Sequence, residues 1–441
     1  MSRVQSLLAF IDASPSAYHA VASVERELAD FSRLKTNAPA WQRLDERQTW
    51  QLDAGGRYYV VRDDSSIIVF TVGTKPLLTH GFKIIAAHTD SPGLRIKPNA
   101  ATGSDGLLRL GVEIYGGPIL ATFTDRDLSL AGRLSYQTAQ GALASCLVRF
   151  DKPLLRLPNL AIHLNRGVND EGLKLQKQQE LPLLLANISE QQLPKTQFHE
   201  LLAKQAGISD EAQLLSWDLS VYDTQTGSIW GANNEFYADS QLDNLASCHC
   251  ALQALLDENS LQSGQSLVCA FFDHEEVGSE SSKGADGSFL SSVLARIASA
   301  MQLTDVGYSQ CLAQSFLISA DMAHAYQPNF PLAYEPEHKV LVNQGVVIKT
   351  NASQRYASGD ITTAQFIRWC KQADVPYQHY VQRCDMGCGS TVGPTTAARL
   401  GIRAIDVGNP MWAMHSVRES AGVLDHAYMI AVMCQFFSSD N

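Results

Sequence analysis

The sequence has no stretch rich in Lys and Arg and no excess of positive charge. Its 45 Asp and Glu residues outnumber its 34 Lys and Arg residues, and the formal net charge at pH 7 is −11. Proteins that bind nucleic acids or anionic membranes carry clustered basic residues that neutralise phosphate groups. We therefore expect neither nucleic acid nor a membrane surface to be a partner.

Long apolar runs and a secretion signal are also lacking. No segment approaches the roughly 18 consecutive apolar residues that a membrane-spanning helix needs. Near the start, Asp12 interrupts a short apolar stretch, and no small-residue cleavage site follows it. The nine Cys residues are odd in number, which does not favour a disulfide framework in a chain without a secretion signal. The sequence thus predicts a cytoplasmic protein with reduced, mostly buried thiols.

The sequence does contain enough apolar residues for a large folded protein. Hydrophobic residues make up 45% of the 441 residues, whereas charged residues make up 18%. A chain of this length exceeds the size at which one hydrophobic core usually stops growing. We therefore expect two domains, or one large domain that carries an insertion.

The order of the apolar runs predicts an α/β domain that is interrupted by a β-rich insertion. Residues 92–235 contain short β-like pieces, whereas the following residues alternate between helical patterns and apolar runs. We predict a mixed sheet covered by helices, built from residues 1–91 and 236–441, with the β-rich domain inserted at 92–235. Near the start of the chain, Ser14 followed by Pro15 predicts the beginning of a helix.

Side chains of the types that bind metals follow four of the apolar runs. The runs are 82–87, 267–272, 316–319 and 402–407. The polar residues beyond them are His88 and Asp90, Glu275 and Glu276, Asp321, and His415. In open α/β sheets, ligands bind beyond the carboxyl ends of the strands, so residues far apart in the sequence can meet at one site. Asp243, near the start of a predicted helix, can join them.

The chemistry of these side chains is consistent with zinc. Zinc accepts His nitrogen and carboxylate oxygen atoms, and the set is large enough for two ions that share one bridging carboxylate. Two such ions polarise a peptide carbonyl and neutralise the oxyanion that forms on it. In the adjacent pair Glu275 and Glu276, one carboxylate can bind metal while the other acts as general base and then acid. Each residue also has a structural alternative, and Asp243 resembles the last residue of a helix capping arrangement with Ser240.

Six stretches of the sequence form an ordered set of motifs. They are SPSAYHAV (14–21), AAHTDSPGLRIKP (86–98), SQLDNLASCHCALQAL (240–255), FFDHEEVGSESSKGA (271–285), SADMAHAYQPN (319–329) and AMHSVRE (413–419). Over nearly the whole chain, they resemble the motifs of the aspartyl aminopeptidases and their bacterial relatives, which are two-zinc metallo-aminopeptidases. The resemblance implies a zinc-exopeptidase type of catalytic domain that hydrolyses the first peptide bond of peptides.

The resemblance also implies a role for each polar residue of the set. In the implied arrangement, one zinc ion is held by His88 and Asp321, the other is held by Glu276 and His415, and the bridging ligand is Asp243. Glu275 is the implied general base. Asp90 is the implied carboxylate that fixes the tautomer of the His88 imidazole. Co or Mn are alternative occupants, because ligand type fixes geometry better than metal identity.

The inserted domain has an implied role in assembly. The resemblance implies that residues 92–235 build the subunit contacts of a homo-oligomer, a dodecamer that encloses the active sites and admits only unfolded peptides. His163, in the stretch AIHLNRGVN, resembles a family residue that reaches toward the catalytic centre of a neighbouring subunit. Its structural alternative is a surface or interface His without a catalytic part.

Recognition of the substrate side chain is assigned to other residues. An acidic side chain needs a fixed cation, and Lys349, in the stretch VVIKTN, is the first candidate. Arg355 is the second candidate, and the alternative for both is an ordinary solvated charge. By resemblance, Met386 and Gly387 line the substrate site.

We therefore predict a zinc aminopeptidase that prefers Asp or Glu as the first residue. Three alternatives remain open. The first is an aminopeptidase that prefers apolar first residues, and the second is a hydrolase of small amides or acylated amino acids. The third is a scaffold whose metal site has no catalytic function.

Overall fold

Contacts divide the chain into two compact units. The computed structural model describes residues 2–35, 39–209 and 213–439. The first unit consists of Met1–Asp90, Gly227–Met414 and Glu419–Asn441, and the second consists of Ser91–Thr226 and His415–Arg418.

Most α-helices of the described residues belong to the first unit. In chain order, the helices are α1 (Arg3–Asp12), α2 (Ala17–Leu34), α3 (Leu77–His80), α4 (Val168–Glu171), α5 (Pro194–Ala206), α6 (Leu242–Leu255), α7 (Glu258–Gln262), α8 (Phe289–Ala300), α9 (Asp305–Gln314), α10 (Asp360–Gln372), α11 (Val392–Leu400) and α12 (Val423–Ser438). Short 3-10 helices are formed by Leu120–Phe123, Glu275–Val277 and Pro331–Ala333.

The strands are distributed over both units. They are β1 (Gln42–Leu44), β2 (Arg57–Arg62), β3 (Ser66–Thr71), β4 (Phe82–His88), β5 (Gly93–Ser104), β6 (Leu107–Tyr115), β7 (Leu128–Gln137), β8 (Leu143–Arg149), β9 (Leu183–Asn187), β10 (Gln213–Asp223), β11 (Ser228–Trp230), β12 (Phe236–Asp239), β13 (Ser266–Phe272), β14 (Phe316–Ala320), β15 (Ala323–His324), β16 (Val346–Thr350), β17 (Tyr377–Val381), β18 (Arg403–Gly408), β19 (Pro410–Trp412) and β20 (Glu419–Gly422).

A nine-stranded mixed sheet forms the centre of the first unit. Its order is β1-β2-β3-β13-β4-β14-β18-β16-β17. The four adjacent strands β13, β4, β14 and β18 are mutually parallel, whereas β3 and β16 pair antiparallel on either side of them. The carboxyl ends of the four parallel strands therefore lie along one edge of the sheet. This architecture confirms the predicted α/β class.

Both faces of this sheet are covered, which explains why the central strands read as continuous apolar runs. Every residue of β4 is buried, and its alternate side chains enter different cores. Ile85 and Ala87 pack in a core with residues of α1, α2, α6, α10 and α12. Ile84 and Ala86 pack in a second core with residues of α8, α9 and α11. Packing on both faces thus fixes the strands, and the side chains that directly follow the strand ends are held at defined positions along one edge of the sheet.

The predicted helix start at Ser14 and Pro15 was wrong by two residues. The helix α2 begins at Ala17, and Ser16, in an extended conformation, accepts a hydrogen bond from the backbone N–H of His19. The Ser14 hydroxyl instead donates to the carbonyl oxygen of Phe10, near the end of α1, at 2.7 Å. The sequence offered two Ser residues beside one Pro, and Ser16 is the one whose side chain accepts a backbone N–H of the helix.

The second unit is built on a six-stranded sheet in the order β8-β7-β10-β5-β6-β9. Its neighbouring strands pair antiparallel. One core fills this unit, and it includes Leu94, Leu130 and Leu219 from the sheet and Phe198 from α5. The unit is β-rich. A further five-stranded sheet, β11-β12-β20-β19-β15, belongs to the first unit.

Two features bear on the expectations from composition. None of the described helices combines the length and apolar character that crossing a membrane requires. All nine Cys residues are free thiols, and five of them are buried.

Candidate metal centre

Three of the parallel strands end side by side at predicted metal ligands. His88 is the last residue of β4 and lies opposite Phe272, the last residue of β13. The chain beyond β13 turns into the short helix Glu275–Val277. Asp321 directly follows β14, and its backbone N–H donates to the carbonyl oxygen of Val407 on β18 at 2.9 Å. The sheet edge thus supplies the positions at which these side chains meet.

Carboxylates surround the imidazole of His88. From its Nε2 atom, the distances are 3.4 Å to Asp243 Oδ1, 3.9 Å to Glu275 Oε2 and 4.0 Å to Asp321 Oδ2. Ligand atoms of His88, Asp243 and Asp321 lie within 4.8 Å of one another, as do those of His88, Glu275 and Glu276. The structure therefore brings five of the predicted residues together within the first unit.

Asp90 orients both the imidazole and the loop that carries the Glu pair. The His88 Nδ1 atom lies 3.0 Å from the backbone oxygen of Asp90 and 3.5 Å from its carboxylate, so Nε2 faces the other carboxylates. The Asp90 carboxylate accepts the backbone N–H groups of Glu275 at 3.2 Å and of Glu276 at 3.1 Å. Burial alone would lower the pKa of His88, but hydrogen bonds to Asp243 and Asp90 raise it well above its usual value.

The site concentrates negative charge in a buried volume. Burial, reinforced by neighbouring carboxylates, raises the pKa of Glu275 to about 8. Burial and the nearby Asp243 raise the pKa of Glu276 well above its usual value. Burial also raises the pKa of Asp321 to about 6. Carboxylates this close cannot all be charged unless cations or protons lie among them. The donor set, imidazole nitrogen with carboxylate oxygens, fits zinc.

A buried Glu that the sequence reasoning missed positions Asp243. The Glu419 carboxylate accepts the backbone N–H of Asp243 at 3.0 Å, although 176 residues separate the two. The capping alternative for Asp243 finds no support, since Gln241 occupies the N-cap position of α6 without a side-chain cap bond. Glu419 ends the AMHSVRE stretch, and its burial is the property that composition could not indicate.

The acidic stretch 273–276, which runs into the short helix Glu275–Val277, divides into two parts. The side chains of Glu275 and Glu276 face the site, whereas Asp273 binds the ammonium of Lys283 at 3.0 Å. The ring of His274 contacts the hydroxyl of Ser281 at 2.8 Å. Lys283 thus compensates the charge of Asp273. Together, Ser281 and Lys283 contact the two residues that directly precede the Glu pair. The sequence analysis did not identify Lys283.

His415 belongs to the second unit. Its Nδ1 atom lies 3.1 Å from the carbonyl oxygen of Gly117. A metal-binding His usually donates its other ring N–H to a carbonyl or carboxylate oxygen. The contact with Gly117 is therefore compatible with a ligand role for Nε2.

The structure places Lys349 directly beside a predicted metal ligand. Its Nζ atom lies 3.4 Å from Asp321 Oδ1 and 3.1 Å from the carbonyl oxygen of Met322. The ammonium also lies 5.1 Å from the ring centroid of Tyr356. The side chain is 2% exposed, which rules out the alternative of an ordinary solvated charge.

The other residues assigned to the substrate lie in exposed segments. Arg355 is exposed, and its guanidinium donates to the carbonyl oxygen of Cys388 at 3.3 Å. Met386 and Gly387 are exposed in the loop between β17 and α11. His163 is exposed in a turn of the second unit.

Comparison with known proteins gives a family for this architecture. The sequence profile described as Aminopeptidase I zinc metalloprotease (M18) matches residues 10–437. A probable M18 family aminopeptidase 2 of Pseudomonas paraeruginosa is 45% identical over 441 residues, which cover 99% of this chain and 98% of that protein.

Solved structures agree with the sequence comparison. A chain in the cryo-EM structure of the Ape4 and Nbr1 complex matches with a TM-score of 0.92 and 38% identity, over 99% of this chain and 85% of that chain. The S. cerevisiae mApe1 dodecamer matches with a TM-score of 0.83 and 26% identity, over 98% of this chain and 95% of that chain. The chain therefore belongs to the M18 family of zinc metallo-aminopeptidases.

Proposed function

We propose that this aminopeptidase uses two zinc ions to remove Asp or Glu from the amino end of peptides. The observation that carries the proposal is the buried cluster of carboxylates around His88 with a buried ammonium, that of Lys349, at its border. The first feature suits a pair of divalent cations. The second suits a negatively charged substrate side chain.

The metal ligands are assigned to two overlapping groups. One ion would be held by His88 and Asp321, and Asp243, whose carboxylate oxygen lies within 4.8 Å of ligand atoms of both, would be the bridging ligand. The second ion would be held by Glu276 and, because of the resemblance of the motif AMHSVRE, by His415. When bound, the two ions polarise the peptide carbonyl and stabilise negative charge on its oxygen.

Glu275 moves the proton. Its carboxylate takes a proton from the attacking water and later delivers it to the leaving amine. Asp90 supports this function because it holds the backbone N–H groups of Glu275 and Glu276 and so fixes the direction of both side chains. Glu275 is half-buried, and burial raises the pKa of its carboxyl group, which favours a group that must both accept and return a proton.

Cleavage assays test the proposal directly. We expect chelator-sensitive hydrolysis of peptides whose first residue is Asp or Glu, restored by zinc, with lower initial rates for peptides that begin with Leu, Lys or Ala. Acetylation of the amino end should abolish cleavage, because the enzyme would recognise the free amine. If the peptide that begins with Leu is cleaved fastest, an apolar preference is supported instead. Cleavage of acetylated substrates would support the amidohydrolase alternative.

Substitution of Lys349 tests the acidic preference. In Lys349→Gln, we expect kcat/KM for a peptide that begins with Asp to fall relative to kcat/KM for one that begins with Leu. The ratio of the two should decrease by about 10-fold or more, since a hydrogen bond to a charged group contributes roughly 1.5–3 kcal/mol. The matched control is Arg355→Gln, which removes an exposed cation from the same stretch. If Lys349 only holds Asp321 in place, both peptides will lose the same factor and the ratio will not change.

The remaining expectations concern assembly and conditions. Because a related structure is described as a dodecamer, we propose a homo-oligomer of the same size whose contacts involve the β-rich second unit. In it, His163 reaches the catalytic centre of a neighbouring subunit. We also propose that the protein is located in the cytoplasm. Co or Mn is proposed as a substitute for zinc.

A further inference from the structure

A cavity of about 210 Å³ lies in the first unit, beside the strand pair β15 and β19. Since a water molecule occupies roughly 30 Å³ in the liquid, this space equals about seven water molecules. It is large enough for an aromatic side chain. Aromatic and thioether side chains form part of its wall, namely those of Tyr334, Tyr380, Met386, Met411, Trp412 and Met414.

The cavity begins a few residues from the metal centre along the chain. Asp321 follows β14, and His324, three residues later at the end of β15, lines the cavity. Three extended residues span at most about 10 Å. A peptide in extended conformation advances roughly 3.3 Å per residue. A substrate whose first peptide bond lies at the centre therefore has its second and third residues within reach of the cavity.

Charged side chains of the cavity wall are paired with other protein groups. His338 Nδ1 lies 2.5 Å from the carboxylate of Glu335. The guanidinium of Arg383 binds the carboxylate of Asp385 at 2.5 and 2.8 Å. Because these charges compensate each other, the wall favours a neutral occupant over an acidic or basic one.

The remaining wall suits large apolar groups of different shapes. The Trp412 indole N–H donates to the carbonyl oxygen of Tyr326 at 2.9 Å, and its ring packs against Phe236 at 5.3 Å between centroids, so the ring is held in place where it lines the cavity. Met side chains adapt to irregular partners and make favourable contacts with aromatic rings. Three Met residues in one wall therefore indicate a site that accepts both aromatic and branched aliphatic side chains.

We propose that this cavity binds the side chain of the second or third residue of the peptide and favours Phe, Leu and similar large apolar groups there. The inference rests on the proposed function, because it requires a peptide held by its amino end at the metal centre. It adds a second determinant of specificity beside the choice of the first residue.

Peptides that share the first residue and differ downstream test this proposal. The second and third positions are varied singly among Ala, Leu, Phe and Asp, with Ala at the other positions. At one of these positions we expect kcat/KM for Phe or Leu to exceed that for Ala by about 10-fold, which corresponds to burial of one large apolar side chain. At the same position, kcat/KM for Asp should be lower than that for Ala.

A filling variant links the preference to the cavity. Ala333 lines the cavity at an exposed position, so Ala333→Trp should reduce the Phe to Ala ratio to near 1. The matched control is Ala300→Trp, at the end of α8 in a different surface recess, which should leave the ratio unchanged. Met386→Ala in the exposed loop provides a second variant with little effect on folding, and the ratio should fall there too.

Equal rates for Ala, Leu and Phe at both positions would overturn the proposal while leaving the aminopeptidase function intact. An unchanged ratio in Ala333→Trp and Met386→Ala would overturn it as well. If Ala333→Trp changes the mass of the assembly, the cavity belongs to a contact between copies and the proposal fails. If the zinc-loaded parent enzyme cleaves none of the peptides, the proposed function itself fails and the subsite with it.

Discussion

Glu275→Gln should lower kcat on the preferred peptide by about 10²–10⁴-fold, the range that general acid–base catalysis usually contributes. Gln has nearly the same shape as Glu but cannot accept a proton at neutral pH. The backbone N–H of residue 275 remains available to the Asp90 carboxylate, so the loop should keep its position. Zinc content per chain and oligomeric mass should therefore stay at the values of the parent enzyme.

The matched control for this variant is Glu280→Gln. Glu280 is exposed in the same loop, and its charge should not affect the proton transfer. Steady-state kinetics and elemental analysis of zinc check both variants. A Glu275→Gln enzyme that retains its kcat would remove Glu275 from the mechanism, and one that loses zinc would make Glu275 a ligand rather than a base.

The same variant separates an enzyme from a scaffold. In a scaffold with a structural metal site, Glu275→Gln has no reaction to abolish, and the parent protein is inactive as well. Glu275 is half-buried, with its carboxylate 3.9 Å from the His88 imidazole, and such a position is unfavourable for a carboxylate without a partner cation. A chemical task for the carboxylate accounts for its place there.

The ends of the apolar runs were the most informative part of the sequence. The runs that precede His88 and Asp321 predicted strands with polar residues at one edge of a sheet, because ligands in α/β sheets bind beyond the carboxyl ends of the strands. The structure has β4 and β14 at these positions. The geometry that brings both side chains together then follows from the register of adjacent strands.

The contacts around the site were less predictable. Glu419 binds the backbone of Asp243 across 176 residues, and Lys349 approaches Asp321 from another strand. Single-residue patterns contain no information about which distant carboxylate or ammonium faces a given group. Lys283 illustrates the same limit, since it compensates the charge of Asp273 although the sequence predicted no role for it.

Asp243→Asn should reduce zinc binding more than any other single change of a carboxylate at the centre. The assigned role of Asp243 is to bridge the two ions, so its loss weakens both sites. Loss of even a hydrogen-bond partner of a metal ligand costs about 10–100-fold in affinity, and we expect loss of a shared ligand to exceed about 100-fold. Zinc per chain after dialysis and kcat should fall together.

Thermal unfolding distinguishes this effect from simple misfolding. The Tm of the metal-free variant is the baseline, because Asp243→Asn loses the contact with His88 at 3.4 Å and also relieves repulsion between Asp243 and Glu276. Added zinc should raise the Tm of the parent protein but not that of the variant, because ligand binding stabilises only the state that binds it. Asp305→Asn, at an exposed position in the first turn of α9, is the control. If Asp243→Asn keeps the full zinc-dependent rise in Tm, Asp243 is not the bridging ligand, and the two ions must share another carboxylate.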